Sequence, residues 1–268
     1  MKRHIAEPAV LKLPVVNSEY LFRSLATLFG ADLICDVGAY DCFHSKRFRS
    51  LGVRVAALEA NPRNFAAITA DSSVREAGIE IFHLAATNRD GVTEFNLVNA
   101  PVGEELGWLG PISSIRPRAD DYRFESEAIA VPATRLDTFV LEKLQLEPST
   151  IALWVDVEGC GYEALEGIEG IRDRVCVVHV EVELLRFWEE QRLWPDIAAL
   201  MQRLGFTPIV RRPGDLQVDV IFVNDRAHKR FRLRVRWHVC KAWCRLRAAH
   251  LKRILRLGLS RLLGDRLR

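Results

Sequence analysis

The chain has 268 residues, enough for one large α/β domain with appendages. Apolar residues make up 49% and charged residues 27%, which is the balance of a globular protein and excludes a disordered or fibrous chain. No stretch approaches 18 uncharged apolar residues, and no apolar segment follows the basic start Met1-Lys2-Arg3-His4. Neither a membrane span nor a signal peptide is therefore predicted.

The net charge of +3 conceals an asymmetry between the two ends of the chain. Residues 226–268 contain 15 lysines and arginines and one acid, whereas residues 1–225 carry a net charge of −11. The six cysteines form no CxxC pair, which favours reduced thiols in a cytosolic protein. We therefore expect a cytoplasmic protein in which an acidic body is joined to a basic tail.

The chain is predicted to begin with an irregular arm, residues 1–16, followed by a helix that starts at Asn17 or Ser18 as its N-cap and ends at Gly30. The first half of a nucleotide-binding unit comes next. A strand is predicted over about 32–37, then a turn at Gly38, a helix over about 44–51 and a second strand over about 53–58. Glu59 ends that second strand, where a carboxylate binds a ribose. Because the glycines do not spell GxGxxG, a cofactor with a ribose and no phosphates is favoured, and S-adenosylmethionine fits this description.

The next segments predict a helix from Asn61-Pro62 to about residue 70, a strand over 80–84 leading into Ala85-Ala86, and an extended segment over 92–97. Residues 99–128 show no clean period and contain several glycines, prolines and aromatic residues. A loop of this length inside a domain is either a functional lid or disordered. We favour the lid, because it holds aromatic side chains and Ser113-Ser114.

The second half of the chain continues the alternation of helices and strands. A short helix is predicted from about 134 to 144, the fourth strand over 151–156, a helix through 165, the fifth strand over 175–183 and a helix over 195–204. Two strands, 206–210 and 218–223, pair as a hairpin around Pro213-Gly214. This order predicts a Rossmann-like α/β fold: a seven-stranded, mostly parallel sheet with one antiparallel strand. We divide the chain into an arm and helix (1–30), this domain (31–225) and a basic helical tail (226–268).

Four blocks of the sequence are similar to one known family: Asp36-Val37-Gly38-Ala39 with Ser45, Glu59-Ala60-Asn61-Pro62, Thr134-Arg135-Leu136-Asp137, and Trp154-Val155-Asp156-Val157-Glu158-Gly159. Over about residues 31–225 the chain resembles the FkbM-type S-adenosylmethionine-dependent methyltransferases. The resemblance implies the class I methyltransferase fold and methylation of a hydroxyl on a sugar, glycolipid or secondary metabolite. Cys42 stands where the family usually has a second glycine, and Gly161 where it usually has an acid.

Cofactor-binding residues are predicted at the ends of the first three strands. Asp36 is expected to face the cationic end of the cofactor or hold the loop amides, and Glu59 to accept both ribose hydroxyls. The alternatives are a turn-capping Asp36 and a helix-capping Glu59. The Ala85-Ala86 pair is expected to flank the adenine, although such a pair is also common in simple packing. The predicted set is Asp36, Gly38, Ala39, Tyr40, Glu59, Ala60, Asn61, Ala85 and Ala86.

Catalytic residues are predicted where the fourth strand ends, because open α/β sheets bind ligands at that edge. We expect Asp156 or Glu158 to take the proton of the acceptor hydroxyl; the alternative is that both cap the next helix around Gly159. Ser114, His179 and Glu181 are the predicted substrate-binding residues, the last two sharing one face of the fifth strand with Glu183. A divalent cation held by Asp156, Glu158, His179 and Glu181 is not favoured over a polar cleft wall.

The basic tail is predicted to be one amphipathic helix. Its apolar residues recur at helical intervals with cations on another face: Trp237, Cys240, Trp243, Cys244, Leu251, Ile254, Leu255, Leu262 and Leu263. A basic helix with tryptophans is typical of an interfacial membrane anchor, so residues 237–263 are predicted to bind an anionic membrane surface, making the protein peripheral to the membrane. The alternatives are packing against the acidic body or a partner, and RNA binding through phosphates.

A second hypothesis for the whole chain comes from another functional class. A degenerate methyltransferase fold would serve as a membrane- or nucleic-acid-binding adaptor, with Cys42 and Gly161 as signs of lost catalysis. The acids at 36, 59 and 156 argue against it.

Overall fold

The computed structural model describes residues 13–98, 113–119, 125–144, 150–212 and 216–264, with side chains of the last helix described to residue 252 except at 250. The strands within these ranges are β1 (Leu33–Val37), β2 (Arg54–Glu59), β3 (Glu80–His83), β4 (Ala85–Ala86), β5 (Gly91–Val98), β6 (Ser126–Thr134), β7 (Ile151–Val155), β8 (Val175–Glu183), β9 (Phe206–Arg211) and β10 (Gln217–Asn224). The α-helices are α1 (Ser18–Phe29), α2 (Phe43–Arg49), α3 (Pro62–Ala70), α4 (Ser72–Glu76), α5 (Leu136–Thr138), α6 (Gly161–Glu166), α7 (Trp194–Arg203) and α8 (Asp225–Gly264).

Some of the predicted features lie outside these residues. They are most of the N-terminal arm, the Pro213-Gly214 turn, much of the predicted lid (99–112 and 120–124), and the end of the basic tail with the side chains of Ile254, Leu255, Leu262 and Leu263.

Seven strands form the main sheet, in the order β3-β2-β1-β7-β8-β10-β9. Strand β10 is antiparallel to both neighbours, and the remaining pairs are parallel, which confirms the predicted sheet. The strand order reverses between β1 and β7, where Val37 pairs with Val155. A reversal of this kind opens a crevice at the carboxyl edge of the sheet, so Gly38 and Asp156 meet there.

Two hydrophobic layers cover the faces of this sheet. Phe139 beyond α5, Leu165 of α6 and Ile197 of α7 pack on one face. Phe22 of α1, Phe48 of α2 and other apolar side chains pack on the opposite face. Both faces are therefore buried, as expected for a mainly parallel sheet whose strands are apolar throughout.

Helix α1 confirms the predicted caps. The side chain of Asn17 accepts a hydrogen bond from the Tyr20 backbone N–H, and Gly30 ends the helix in the left-handed conformation with φ of 70°. Leu21, Phe22 and Leu25 of α1 are fully buried and belong to the hydrophobic core. The predicted helical spacing was therefore a correct guide to which face of α1 is buried.

A second sheet, in the order β4-β6-β5, was only partly predicted. The extended segment over 92–97 is β5, but residues 126–128 belong to β6 and not to a loop, so the predicted lid extends too far. The sequence signal of β6 is weak because its first residues are exposed and Pro132 interrupts the run. Pairing with β5 along its whole length stabilises β6, and this long-range contact is not visible in the local pattern.

Helix α8 is kinked at Phe231, where φ is −115° and ψ is 19°. Its first part packs against α1, with Val235 and Ala242 fully buried. This part of the basic tail is therefore packed against the body of the protein, as one of the alternatives in the sequence analysis proposed. Among the described residues, no helix combines the length and the hydropathy needed to cross a membrane.

Candidate functional site

The turn after β1 passes close to the end of β7. Gly38 has a φ of 86°, and a Cβ atom at this position would overlap the backbone carbonyl oxygen of Asp156, so the turn requires glycine. Tyr40 and Cys42 also have positive φ values, 49° and 58°. Residues with side chains adopt this conformation at some energetic cost, and glycine would adopt it without that cost.

Asp36 lies beneath this turn and not in the open crevice. Its side chain is 1% exposed, and Oδ2 accepts a hydrogen bond from Ser45 Oγ at 2.5 Å. Burial raises the pKa of Asp36 to about 7, although the Ser45 hydroxyl opposes this shift. The carboxyl therefore ties β1 to α2, and Asp36 does not line the cavity that opens beyond this turn. Ala39 is also packed in the core.

Glu59 joins the turns that follow β1 and β2. Oε2 accepts the Tyr40 backbone N–H at 2.8 Å, and Oε1 accepts the Asn61 backbone N–H at 2.8 Å. Burial raises the pKa of Glu59, and these two amides oppose the shift. Glu59 therefore does cap the start of the segment that leads into α3, which is the alternative given in the sequence analysis. Asn64 Nδ2 also donates to Oε1, at 3.5 Å, whereas Oε2 keeps a second lone pair with which Glu59 can accept from a ligand.

A cavity of about 590 Å³ opens at this edge of the sheet, a volume typical of small-molecule sites. It contains most of the predicted site residues: Gly38, Tyr40, Glu59, Ala60, Asn61, Ala85, Ala86, Ser114, Asp156 and Glu158. Leu58, Phe95 and Val98 add apolar wall, while Ser113, Asn64 and Cys160 add polar atoms. Apart from Ser113, the sequence does not point to these additional wall residues; β5 brings two of them, Phe95 and Val98, from a separate sheet.

The loop after β7 is held from two sides. Ser114 Oγ donates to the backbone oxygen of Glu158 at 2.6 Å. Gly159 has a φ of 71°, and a Cβ there would meet the buried ring of Trp188. No local sequence pattern identified Trp188, although it fixes the turn that carries Glu158. Ser114 therefore has a structural role in addition to lining the cavity.

Four carboxyl groups gather where β7 and β8 end. One oxygen from each of Asp156, Glu158 and Glu181 lies within 4.8 Å of the others, and Glu183 Oε1 accepts the Gly159 backbone N–H at 3.0 Å. Burial raises the pKa of Asp156 and of Glu181. Burial and the charges of Asp156 and Glu183 raise the pKa of Glu158 to about 8. The cluster can therefore accept protons near neutral pH.

His179 does not reach the cavity. Its ring is 1% exposed and stacks on Trp154 with centroids 3.4 Å apart, while Nε2 lies 3.3 Å from Asp219 Oδ2. Although burial opposes ionisation, His179 and Arg212 lower the pKa of Asp219 to about 2. The structure therefore places His179 in the packed layer beneath the carboxyl cluster. Glu181 adjoins the cavity through that cluster, and its Oε1 accepts from Gln217 at 2.7 Å.

The Thr134-Arg135-Leu136-Asp137 block is structural. The Asp137 carboxylate accepts from the Arg135 guanidinium at 2.9 and 2.7 Å and from the Gly170 backbone N–H at 2.9 Å. These bonds tie α5 to the turn that follows α6. This block therefore shapes the layer behind the site and does not line the cavity.

Glu158→Gln should stabilise the fold at high pH. Because the folded pKa of about 8 exceeds the ordinary 4.5, the stability contribution of Glu158 is fully present below 4.5 and is lost as pH rises to about 8. Each unit of difference corresponds to about 1.4 kcal/mol, so the variant should gain thermal stability over the wild type between about pH 5 and about pH 8.

Glu80→Gln is the matched control for this measurement, because the Arg54 guanidinium lowers the pKa of Glu80. Removing this favourable ion pair should decrease stability at neutral pH or leave it unchanged, not increase it. Melting curves of the wild type, Glu158→Gln and Glu80→Gln between about pH 5 and about pH 8 test whether the pKa of Glu158 is raised in the folded protein. If the melting temperatures of Glu158→Gln and the wild type differ by the same amount at every pH, the Glu158 carboxyl is not buried against its neighbours.

Comparisons with known proteins give one family match. The sequence model of the methyltransferase FkbM domain matches residues 36–208. No curated protein matches the chain.

Solved structures with a similar fold include EvdMO1, with 11% identity and a TM-score of 0.41 over 77% of this chain and 40% of that chain. A 1,6-didemethyltoxoflavin-N1-methyltransferase from Burkholderia thailandensis has 15% identity and a TM-score of 0.39 over 77% and 78% of the two chains. Magnesium protoporphyrin IX methyltransferase from Synechocystis PCC 6803 has 10% identity and a TM-score of 0.41 over 76% and 77%. The chain spans less than half of EvdMO1.

Proposed function

The chain belongs to the FkbM family of methyltransferases, and we propose that it transfers the methyl group of S-adenosylmethionine to a hydroxyl of a sugar, glycolipid or related secondary metabolite. One observation carries this proposal: a single cavity has Glu59 on one wall and Asp156 with Glu158 on another. Glu59 is the ribose-binding group in this assignment, and the two acids of the loop after β7 face the acceptor.

The residues of the cavity fit S-adenosylmethionine. A buried carboxylate suits the two ribose hydroxyls: Oε2 has a free lone pair, and one hydroxyl can replace the long bond from Asn64 to Oε1. Ala85 and Ala86 offer an apolar wall for adenine. The turn at Gly38 lacks the glycine pattern that cradles a pyrophosphate, so a dinucleotide fits less well. Tyr40 and Asn61 hold Glu59 in place, which keeps its orientation before the ligand arrives.

When bound, S-adenosylmethionine supplies an electrophilic methyl carbon, and the acceptor oxygen bonds to this carbon as the carbon–sulfur bond breaks. The acceptor must lose its hydroxyl proton as the new carbon–oxygen bond forms. Asp156 takes this proton in our proposal, with Glu158 as the neighbouring acid that shares it. Burial of the cluster raises the proton affinity of both carboxylates, which suits a base that works near neutral pH.

A divalent metal is not part of the proposal. The spacing of Asp156, Glu158 and Glu181 is short enough for a cation to bridge them. The raised pKa values offer a simpler arrangement, in which retained protons relieve the repulsion between the three groups. The adaptor hypothesis has no support either, since the acids that a methyl transfer needs are present at the cavity.

The experiment that tests the function uses S-adenosylmethionine with a deuterated methyl group. The full chain is incubated with this cofactor and a panel of sugars, glycolipids and hydroxylated metabolites, and the products are analysed by mass spectrometry. We expect a deuterated methyl ether on one acceptor class. A labelled N-methyl product would contradict the hydroxyl assignment, and cofactor binding without any labelled product across the panel would favour the adaptor.

A further inference from the structure

Helix α8 has two opposite faces. Val235 and Ala242 are fully buried against the body, with Val239 partly buried between them. The ring of Phe231 lies 5.7 Å from that of Phe29, centroid to centroid, and extends the contact with α1. This face therefore positions α8 firmly against the domain.

The opposite face carries an exposed apolar stripe. Leu233 is 79% exposed, Trp237 54% and Leu251 58%, and Cys240 and Cys244 are exposed between them. With 3.6 residues per turn, these positions lie about half a turn from Val235 and form one line along the helix. Of the predicted apolar residues, Trp237, Cys240, Cys244 and Leu251 lie on this uncovered line, whereas Trp243 lies to one side of it, about 80° around the helix from Val235.

Cations border this stripe. Lys241 Nζ lies 3.6 Å from the centroid of the Trp237 ring, and the Arg247 guanidinium lies 5.2 Å from that of Trp243. Arg245 and Lys252 follow Lys241 along one edge. An exposed apolar line between rows of cations is the arrangement of a helix that lies in a membrane interface.

A basic cleft adjoins the same edge of α8. It has a volume of about 380 Å³ and is lined by Arg23 of α1, Arg47 of α2, and Arg245 and Lys252 of α8. Glu19, which also lines the cleft, pairs with Arg47 at 2.5 Å and with Arg23 at 3.8 Å. Within the described residues, neither Arg245 nor Lys252 has an acidic partner, and the Arg245 guanidinium lies 4.0 Å from the centroid of the Tyr20 ring. Cations from three helices thus converge on one concave surface.

We propose that the exposed face of α8 lies in the surface of an anionic membrane, with the stripe among the lipid chains and the cleft binding the phosphate of a lipid headgroup. This inference is independent of the methyl-transfer chemistry, since it uses none of the cavity residues. One observation favours lipid over RNA: the exposed apolar stripe, which phosphate contacts do not require. The cations attract anionic headgroups, and the stripe retains the helix when salt screens that attraction.

The test measures sedimentation of the full chain with vesicles of phosphatidylcholine and phosphatidylglycerol in a two-to-one ratio, compared with vesicles of phosphatidylcholine alone. Truncation before α8 is unsuitable, because it would uncover the side chains that pack on Val235 and Ala242. The stripe variant is Leu233→Ser with Trp237→Ser, and the cleft variant is Arg245→Glu with Lys252→Glu. Val92→Ser and Arg203→Glu are controls: both side chains are exposed, and α7 covers the opposite face of the sheet.

The wild type should bind the anionic vesicles at least about tenfold more tightly than the neutral ones, since several cations engage. We expect each site variant to lose about tenfold or more in vesicle affinity and both controls to retain it. Raised salt should abolish the residual binding of the stripe variant but leave part of the wild-type binding. Calorimetry with S-adenosylmethionine should give the same affinity for all these proteins, whatever the outcome with vesicles.

Three results would overturn the proposal. Equal sedimentation of the stripe variant and the wild type would exclude the membrane face. A cleft variant that loses affinity for inorganic phosphate but sediments like the wild type would assign the cleft to a soluble ligand. Binding of RNA with a steep salt dependence, together with no preference for anionic vesicles, would assign the surface to nucleic acid.

Discussion

Asp156→Asn is expected to lower turnover by roughly 10²–10⁴-fold while leaving the affinity for S-adenosylmethionine nearly unchanged. The amide has almost the shape of the carboxyl group but cannot accept the hydroxyl proton of the acceptor. Asp156 directly follows β7 and faces the cavity, whereas the ribose-binding group is Glu59 on another wall. Single-turnover rates and calorimetric cofactor affinities, measured on the same preparations, separate the two effects.

Asp173→Asn is the matched control, because this acid is exposed and its ion pair with Arg226 lies outside the cavity. It should turn over like the wild type. If Asp156→Asn remains within a few-fold of wild-type turnover, Asp156 is not the base. Glu158→Gln then becomes the decisive variant, since Glu158 is the other acid predicted to take the proton and also lines the cavity.

Glu59→Ala should weaken S-adenosylmethionine binding by roughly 30- to 1,000-fold, or about 2–4 kcal/mol. Two charge-assisted hydrogen bonds to the ribose would be lost. The Tyr40 and Asn61 amides would also lose their acceptor, so the loop itself could relax. Calorimetry gives the affinity, and a melting curve of the ligand-free variant shows how much of the change comes from the fold.

Two further variants separate ribose recognition from loop support. Glu59→Gln keeps the shape of the side chain and one acceptor, so it should show an intermediate loss. Glu166→Ala removes a carboxyl whose Oε2 accepts from Asn88 outside the cavity, and cofactor affinity should not change. An affinity in Glu59→Ala equal to that of the wild type would refute the ribose assignment.

The strands and most helix ends were predictable because their causes are local. The apolar run that forms β1, the glycine at 38 and the asparagine cap at 17 each act over a few residues. Strand β8 was predicted with the bounds the structure gives, since its alternation has a period of two. Parallel neighbours then bring Glu59 and Asp156 to the same edge, which is why the cavity contains most of the predicted residues.

The remaining features depend on contacts between distant residues. The sequence does not reveal that Asp36 is bonded to Ser45 beneath the turn, or that His179 stacks on Trp154 beside Asp219. It also shows the apolar positions of the tail without separating those that pack on α1 from those that face outward. In α8 this division follows from the docking of Val235 and Ala242 and not from the helical period alone.

Binding of S-adenosylmethionine to the full chain is the decisive measurement for the cavity. Calorimetric titration should give saturable one-to-one binding, S-adenosylhomocysteine should compete for the same site, and NAD should give no comparable heat. We expect this pattern because Glu59 offers a ribose site beside a turn without the pyrophosphate glycines. An absence of saturable binding, or equal affinity for NAD, would contradict the assignment of the cavity.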